Sequence, residues 1–88
     1  MIHKTITSTK DILSREASHL CNLFNYKASL DTTVYLKKAN DDRICSAKSL
    51  LGVLSLVIRK DDEIVFLING SNEQEVAIMI DNFFSDEE

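Results

Sequence analysis

From Ile2 to Ser8 apolar and polar residues alternate loosely, with Ile2 and Ile6 on one side and His3, Thr5 and Thr7 on the other. That is the two-residue period of a half-buried strand. After a connection at Asp11 to Leu13 the period changes. From Ser14 onward, Ala17, Leu20, Cys21, Phe24 and Ala28 recur at spacings of three and four, which makes one stripe of a helix and points His19 the opposite way. Thr32 to Lys37 is β-branched and aromatic, residues 39–42 read as a polar turn, and Arg43 to Ala47 reads as a return strand, so a hairpin is predicted. Ser49 to Leu56 is a short, very apolar helix. Arg59-Lys60-Asp61-Asp62 is a charged turn, and Glu63 to Asn69 is a strongly β-prone run that suits an inner strand. Gly70 allows a positive φ at its exit. Ser71 with Gln74, or Asn72 with Glu75, offers a capping box for a last helix whose buried stripe is Val76, Ala77, Ile80, Phe83 and Phe84.

The order strand, helix, strand, strand, short helix, strand, helix predicts an α+β fold, β-α-β-β-α-β-α, with a four-stranded, mostly antiparallel sheet covered on one face by helices. A chain of 88 residues has room for a single domain over 1–88. The net charge of -4 and the acidic run Asp86-Glu87-Glu88 argue against nucleic acid or anionic membrane as the main partner, since both require clustered Lys and Arg. Protein partners fit better. No apolar run approaches the roughly 20 residues that span a bilayer, and the first residues lack the regions of a signal peptide, which points to the cytoplasm. Cys21 and Cys45 form no Cys-x-x-Cys and have no histidine pair nearby, so they read as reduced, partly buried thiols, and neither a metal site nor a cofactor is expected.

The most informative stretch is the one around Ser49. A strand-like run precedes it and an apolar helical turn follows, so its hydroxyl is predicted at a helix N-terminus. There it can cap free backbone N–H groups, and the same position suits a phosphate. Capping and modification are compatible readings of one residue. The helix that follows is too apolar for its length. Leu50, Leu51 and Leu54 cannot all face one core, so at least one is predicted to be exposed in a small apolar patch beside Ser49.

The segment Lys48-Ser49-Leu50-Leu51-Gly52-Val53-Leu54-Ser55-Leu56 closely resembles the regulatory serine segment of the HPr family of phosphocarriers and of its Crh-type regulatory branch. A weaker match is Asp11-Ile12-Leu13-Ser14-Arg15-Glu16-Ala17, aligned with the family's Gly-Ile-His-Ala-Arg-Pro-Ala phosphocarrier site. Arg15 and Ala17 are kept, whereas Leu13 stands at the histidine position and Glu16 at the proline position. The resemblance spans essentially the whole chain, although the interval from Arg15 to Ser49 is longer than the family's usual one. The excess is placed in residues 27–31 and in the hairpin turn.

The resemblance implies an HPr-like open-faced β-sandwich, phosphorylation of Ser49 by an HPr-type serine kinase/phosphorylase, and recognition by a LacI-type catabolite control regulator. It assigns Arg15, Lys48, Leu50, Leu51 and Leu54 to partner binding. Leu13 carries no nucleophile, so no catalytic residue is expected. Glu16 adds a carboxylate that repels a phosphate, and His3 and His19 read as ordinary strand and surface histidines. Arg15 reads equally as a solvated first-turn residue or as a partner contact. The preferred reading is therefore a non-catalytic, Crh-like regulatory protein of carbon catabolite control. The alternatives are a phosphocarrier component of the sugar phosphotransferase system and, from the element order alone, a ferredoxin-like small-molecule sensor. No Ser/His/Asp or Cys/His set suggests an enzyme.

Overall fold

The computed structural model describes residues 1–85. Its elements are β1 (Ile2–Thr7), α1 (Ser14–Lys27), β2 (Thr33–Lys38), β3 (Cys45–Ser46), α2 (Leu50–Ser55), β4 (Glu63–Asn69) and α3 (Glu73–Phe83). The strands form one sheet in the order β1-β4-β2-β3, and every adjacent pair is antiparallel. This is the α+β arrangement expected. In a ferredoxin-like sheet β1 is an inner strand with a neighbour on each side, whereas here, among the described residues, it is an edge strand paired with β4.

Strand β4 is central. Its Ile64, Phe66 and Ile68 are fully buried, and in register they face Ile6, Lys4 and Ile2 on β1 and Lys38, Leu36 and Val34 on β2. The helices cover this face only. α1 lies between the other two, α2 packs beside β3, and α3 packs over β1 and β4. Phe66 joins the layers, since its ring centroid lies 6.1 Å from Phe24 of α1 and 6.2 Å from Phe84 at the end of α3. The α1 stripe Ala17, Leu20, Cys21, Phe24 and Ala28 is buried as its spacing predicts. In α3, Val76, Ile80 and Phe84 are buried, whereas Ala77 and Phe83 are only partly covered.

Several local expectations need correction. Ser8 leaves the strand: it is fully buried, its N–H donates to the Asp62 carbonyl and its carbonyl accepts from Asp61, so it belongs to the turn that closes the sheet's end. β2 starts at Thr33, because Thr32 is drawn into side-chain bonding. The return strand shrinks from Arg43–Ala47 to two residues. Asp41 turns back on Arg43, accepting from its backbone N–H at 3.0 Å and from its guanidinium, while Arg43 Nη1 donates to the Ser55 carbonyl. Arg43 is thus committed to the turn and to α2 instead of to the sheet.

The capping box also fails to form, although Asn72 does take the N-cap position of α3. Its Oδ1 accepts from Ser29 N–H at 3.0 Å and from the Thr32 hydroxyl at 2.7 Å, and its Nδ2 donates to the Lys27 carbonyl at 2.8 Å. The side chain that should have closed a helix instead clamps the long exit of α1. Gly70, at φ 153°, makes this possible, because a Cβ there would lie 2.3 Å from Thr32 Cα.

Candidate functional site

Two helix starts hold the residues singled out by sequence. At α2, the chain leaves β3 through Ala47, whose N–H donates to Val34, and then turns so that Ser49 N–H donates to the Ser46 carbonyl. Ser49 takes the N-cap position in extended conformation, and its Oγ accepts from Gly52 N–H at 3.1 Å. Among the described residues its hydroxyl donates to nothing, and the residue is exposed. Its neighbours differ. The Ser55 hydroxyl donates to the Gly52 carbonyl at 2.7 Å, and Ser46 is half-buried with its Oγ accepting from Lys48 N–H. Gly52 permits the close approach of α2 to β3, since a Cβ there would lie 3.0 Å from Cys45 Cβ and 3.3 Å from Ser49 Oγ.

Lys48 is not a free surface cation. Its ammonium donates to the Thr32 carbonyl at 2.9 Å, and its own carbonyl accepts from Asn25 Nδ2 at 3.2 Å. It anchors the Ser49 turn to both ends of the long α1 exit. The leucines divide as the geometry of a short helix requires. Val53 and Leu56 are buried, whereas Leu51 is 80% exposed, Leu50 is exposed and Leu54 is partly covered. An exposed serine therefore stands beside an apolar strip that the core does not use. Beyond it, Val57 adopts φ 53°, a left-handed conformation that a β-branched residue adopts only under strain.

At the start of α1, Leu13 occupies the N-cap position, 59% exposed, and no side chain caps the helix. Arg15 is exposed on the first turn and, among the described residues, makes no ion pair or hydrogen bond. Glu16 lies on the same turn. The two histidines stay apart: His3 is an exposed residue of β1, and His19 lies further along α1. His19 is exposed but does not simply point to solvent, because its ring meets Phe83 edge-on with centroids 5.5 Å apart. The sequence reading missed that α1–α3 contact, although Arg15, His19 and Leu23, at intervals of four, were its signal.

Both cysteines are free thiols. Burial pushes the Cys21 thiol up, with Cys45 adding to the effect, and burial pushes Cys45 up against the opposing pull of Arg43. Neither has the electropositive setting of a reactive thiolate. Among the described residues no cluster of three or more His, Cys, Asp or Glu is placed to hold a metal, and no helix is long and apolar enough to cross a membrane.

The single-faced antiparallel sheet with its three helices defines an HPr-like α+β fold, and the solved structures it resembles agree. The crystal structure of HPr-C-His from Thermoanaerobacter tengcongensis superposes with a TM-score of 0.76 at 20% identity over 100% of both chains. The phosphocarrier protein HPr of Bacillus anthracis gives 0.81 at 21% identity, covering 94% of this chain and 95% of that one. A mycoplasma histidine-containing phosphocarrier gives 0.71 at 18%, with 94% and 97% covered. No curated protein matches in sequence. The family profile described as "PTS HPr component phosphorylation site" matches residues 3–86, and the chain belongs to that HPr family of the phosphotransferase system.

Proposed function

We propose that this chain, a single HPr-like domain over residues 1–88, is a non-catalytic regulatory member of the family, Crh-like, whose output is protein binding controlled by phosphorylation of Ser49. The observation that carries this reading is the contrast between the two helix starts. Leu13 offers no atom that can take a phosphoryl group, while Ser49 keeps an exposed hydroxyl beside the apolar strip of Leu50, Leu51 and Leu54.

A phosphate on Ser49 would add about -1.5 to -2 charge and three acceptor oxygens. It would replace a hydroxyl that the fold uses only as an acceptor, so the domain need not refold. The apolar strip supplies the desolvated area and the phosphate the charged anchor, the two ingredients of a protein interface. By resemblance, the partners are an HPr-type serine kinase/phosphorylase and a LacI-type catabolite control regulator, and the site of action is the cytoplasm. By resemblance Arg15 also meets a partner, and among the described residues its guanidinium has no competing bond. The part of Lys48 is to hold the turn, since its ammonium is already bonded.

The test is incubation with an HPr-type serine kinase and ATP, followed by mass spectrometry. One phosphate on Ser49 is expected, and Ser49→Ala should take up none. Equal labelling of that variant would refute the assignment. In a parallel reaction, labelled phosphoenolpyruvate and the donor enzyme should give no acid-labile phosphohistidine. Stoichiometric label on His3 or His19 would instead favour a phosphocarrier.

A further inference from the structure

On the flank of α1 away from α2, a groove of about 550 Å³ runs between α1 and α3. One wall is the row Arg15, His19 and Leu23, and the other is formed by Met79 and Phe83, again four residues apart. Lys10 closes one end, its ammonium lying over the Phe83 ring at 4.5 Å from the centroid, and the His19 ring meets the same ring at a steep angle of 75°. Charge is distributed unevenly. Lys10 and Arg15 are fixed cations, and among the described lining residues Glu16 alone is acidic, although the chain as a whole carries -4. The opposite end, at Leu23 and Met79, is apolar.

We propose that this groove docks a short, extended, acidic segment of a partner protein. The segment's carboxylates would sit among Lys10, Arg15 and His19, and an apolar side chain following them would lie on Leu23 and Met79. Charge complementarity selects an anionic occupant over a basic one. Size and shape select a peptide. From Arg15 to Leu23 the α1 wall measures about 12 Å at 1.5 Å per residue, enough for about four residues of extended chain at roughly 3.3 Å each. Arg15 and His19 are exposed and Leu23, Met79 and Phe83 only partly covered, so the trough is open along its length. A small molecule needs most of its surface enclosed to bind well, whereas a peptide continues into further contacts. The site does not depend on Ser49, which lies on the other flank of α1.

The isotope-labelled full chain should be titrated by NMR with a blocked tetrapeptide of two aspartates, glycine and leucine. Counterparts carrying asparagines or lysines in place of the aspartates serve as controls. Saturable shifts are expected at Arg15, His19, Leu23, Met79 and Phe83, strongest for the aspartate peptide, weakened by salt and absent from Ser49 to Leu54. Lys10→Glu should weaken binding about tenfold. Arg15→Gln, at an exposed position, should weaken it in the same sense without touching Phe83. An equal response to the lysine peptide, absence of saturable shifts, or the same shifts on concentrating the protein alone would overturn the proposal. The last outcome would assign the groove to a second copy of the chain.

Discussion

Helix α1 begins at an exposed leucine that caps nothing, and helix α2 begins at a serine whose Oγ receives the Gly52 N–H. The difference follows from what each helix buries. α1 has fourteen residues and four buried positions along its length, so tertiary packing holds it whatever stands at its start. α2 has six residues and buries only Val53, with Leu56 just past its end. A segment that short is not helical by itself, and its cap matters correspondingly more. The chain can therefore lose a polar residue at the first helix without losing the fold, while the hydroxyl at the second serves structure even before any modification. The Ser49 hydroxyl thus serves as a cap whether or not a kinase acts on it, and its exposure beside leucines that the core does not need is what leaves it accessible to one.

That contrast can be broken most severely at α2 and its C-cap. Leu56→Ala should cost ~2–5 kcal/mol, whereas Leu51→Ala should stay within about ±0.5 kcal/mol. Leu51→Ala should nevertheless weaken binding to the serine kinase or regulator about tenfold, or ~1.4 kcal/mol. Thermal melts and titrations on the same two variants check both halves, and unfolding by Leu51→Ala would make the strip part of the core.

A smaller effect compares the helix starts directly. Ser49→Ala should destabilise by about 1 kcal/mol through loss of the cap, and Leu13→Ser should stabilise by a similar amount. Leu13 already has the extended backbone of an N-cap residue and is mostly exposed, so little burial is lost. Denaturant midpoints of opposite sign would support the comparison. A destabilising Leu13→Ser would show that the leucine has a packing role.

The smallest effect lies in the charged turn that precedes β4. The Asp62 carboxylate accepts from Arg59 N–H at 2.8 Å and from Lys38 Nζ at 3.1 Å, and these bonds, the backbone one first, hold its pKa below the ordinary carboxylate value. A depressed carboxylate contributes stability that is complete above its unfolded pKa and is lost as pH falls through the lower folded value. Asp62→Asn should therefore be slightly less stable than the parent at neutral pH. The gap should close in acid below the carboxylate range. A gap that stayed constant with pH would assign the effect to shape instead of charge.

Much of this architecture was legible because hydrophobic period alone specifies it. The stripe from Ala17 to Ala28 and the alternation along Glu63 to Asn69 each have one arrangement that buries them, and together they set the helix face and the central strand. Ser49 was legible for the same reason, lying where a strand pattern gives way to an apolar turn. What escaped was decided by polar side chains with several possible partners. Nothing in the order Asp41-Asp42-Arg43 says that Arg43 reaches the Ser55 carbonyl and cuts the return strand short. Nothing local tells Asn72 to hold Ser29, Thr32 and Lys27 in preference to the free N–H groups of α3, while its Nδ2 still reaches the Glu75 carboxylate at 3.2 Å. Lys48 looked like a kinase-facing cation because its partner, the Thr32 carbonyl, is sixteen residues away.

The clamp on the long exit of α1 changes how a protease would see it. Lys27 has an exposed side chain at the head of a connection of bends and turns, the kind of place where chains are usually nicked. Cleavage requires the backbone to leave its bonds and stretch into a protease cleft. Here the Lys27 carbonyl is held by Asn72, the Ser29 N–H by the same side chain, and the Thr32 carbonyl by Lys48. The connection cannot open without releasing both the first turn of α3 and the turn that carries Ser49. Its digestion is therefore tied to a larger opening of the molecule, and tryptic cutting after Lys27 reports the loosening of two helices together instead of the mobility of one loop.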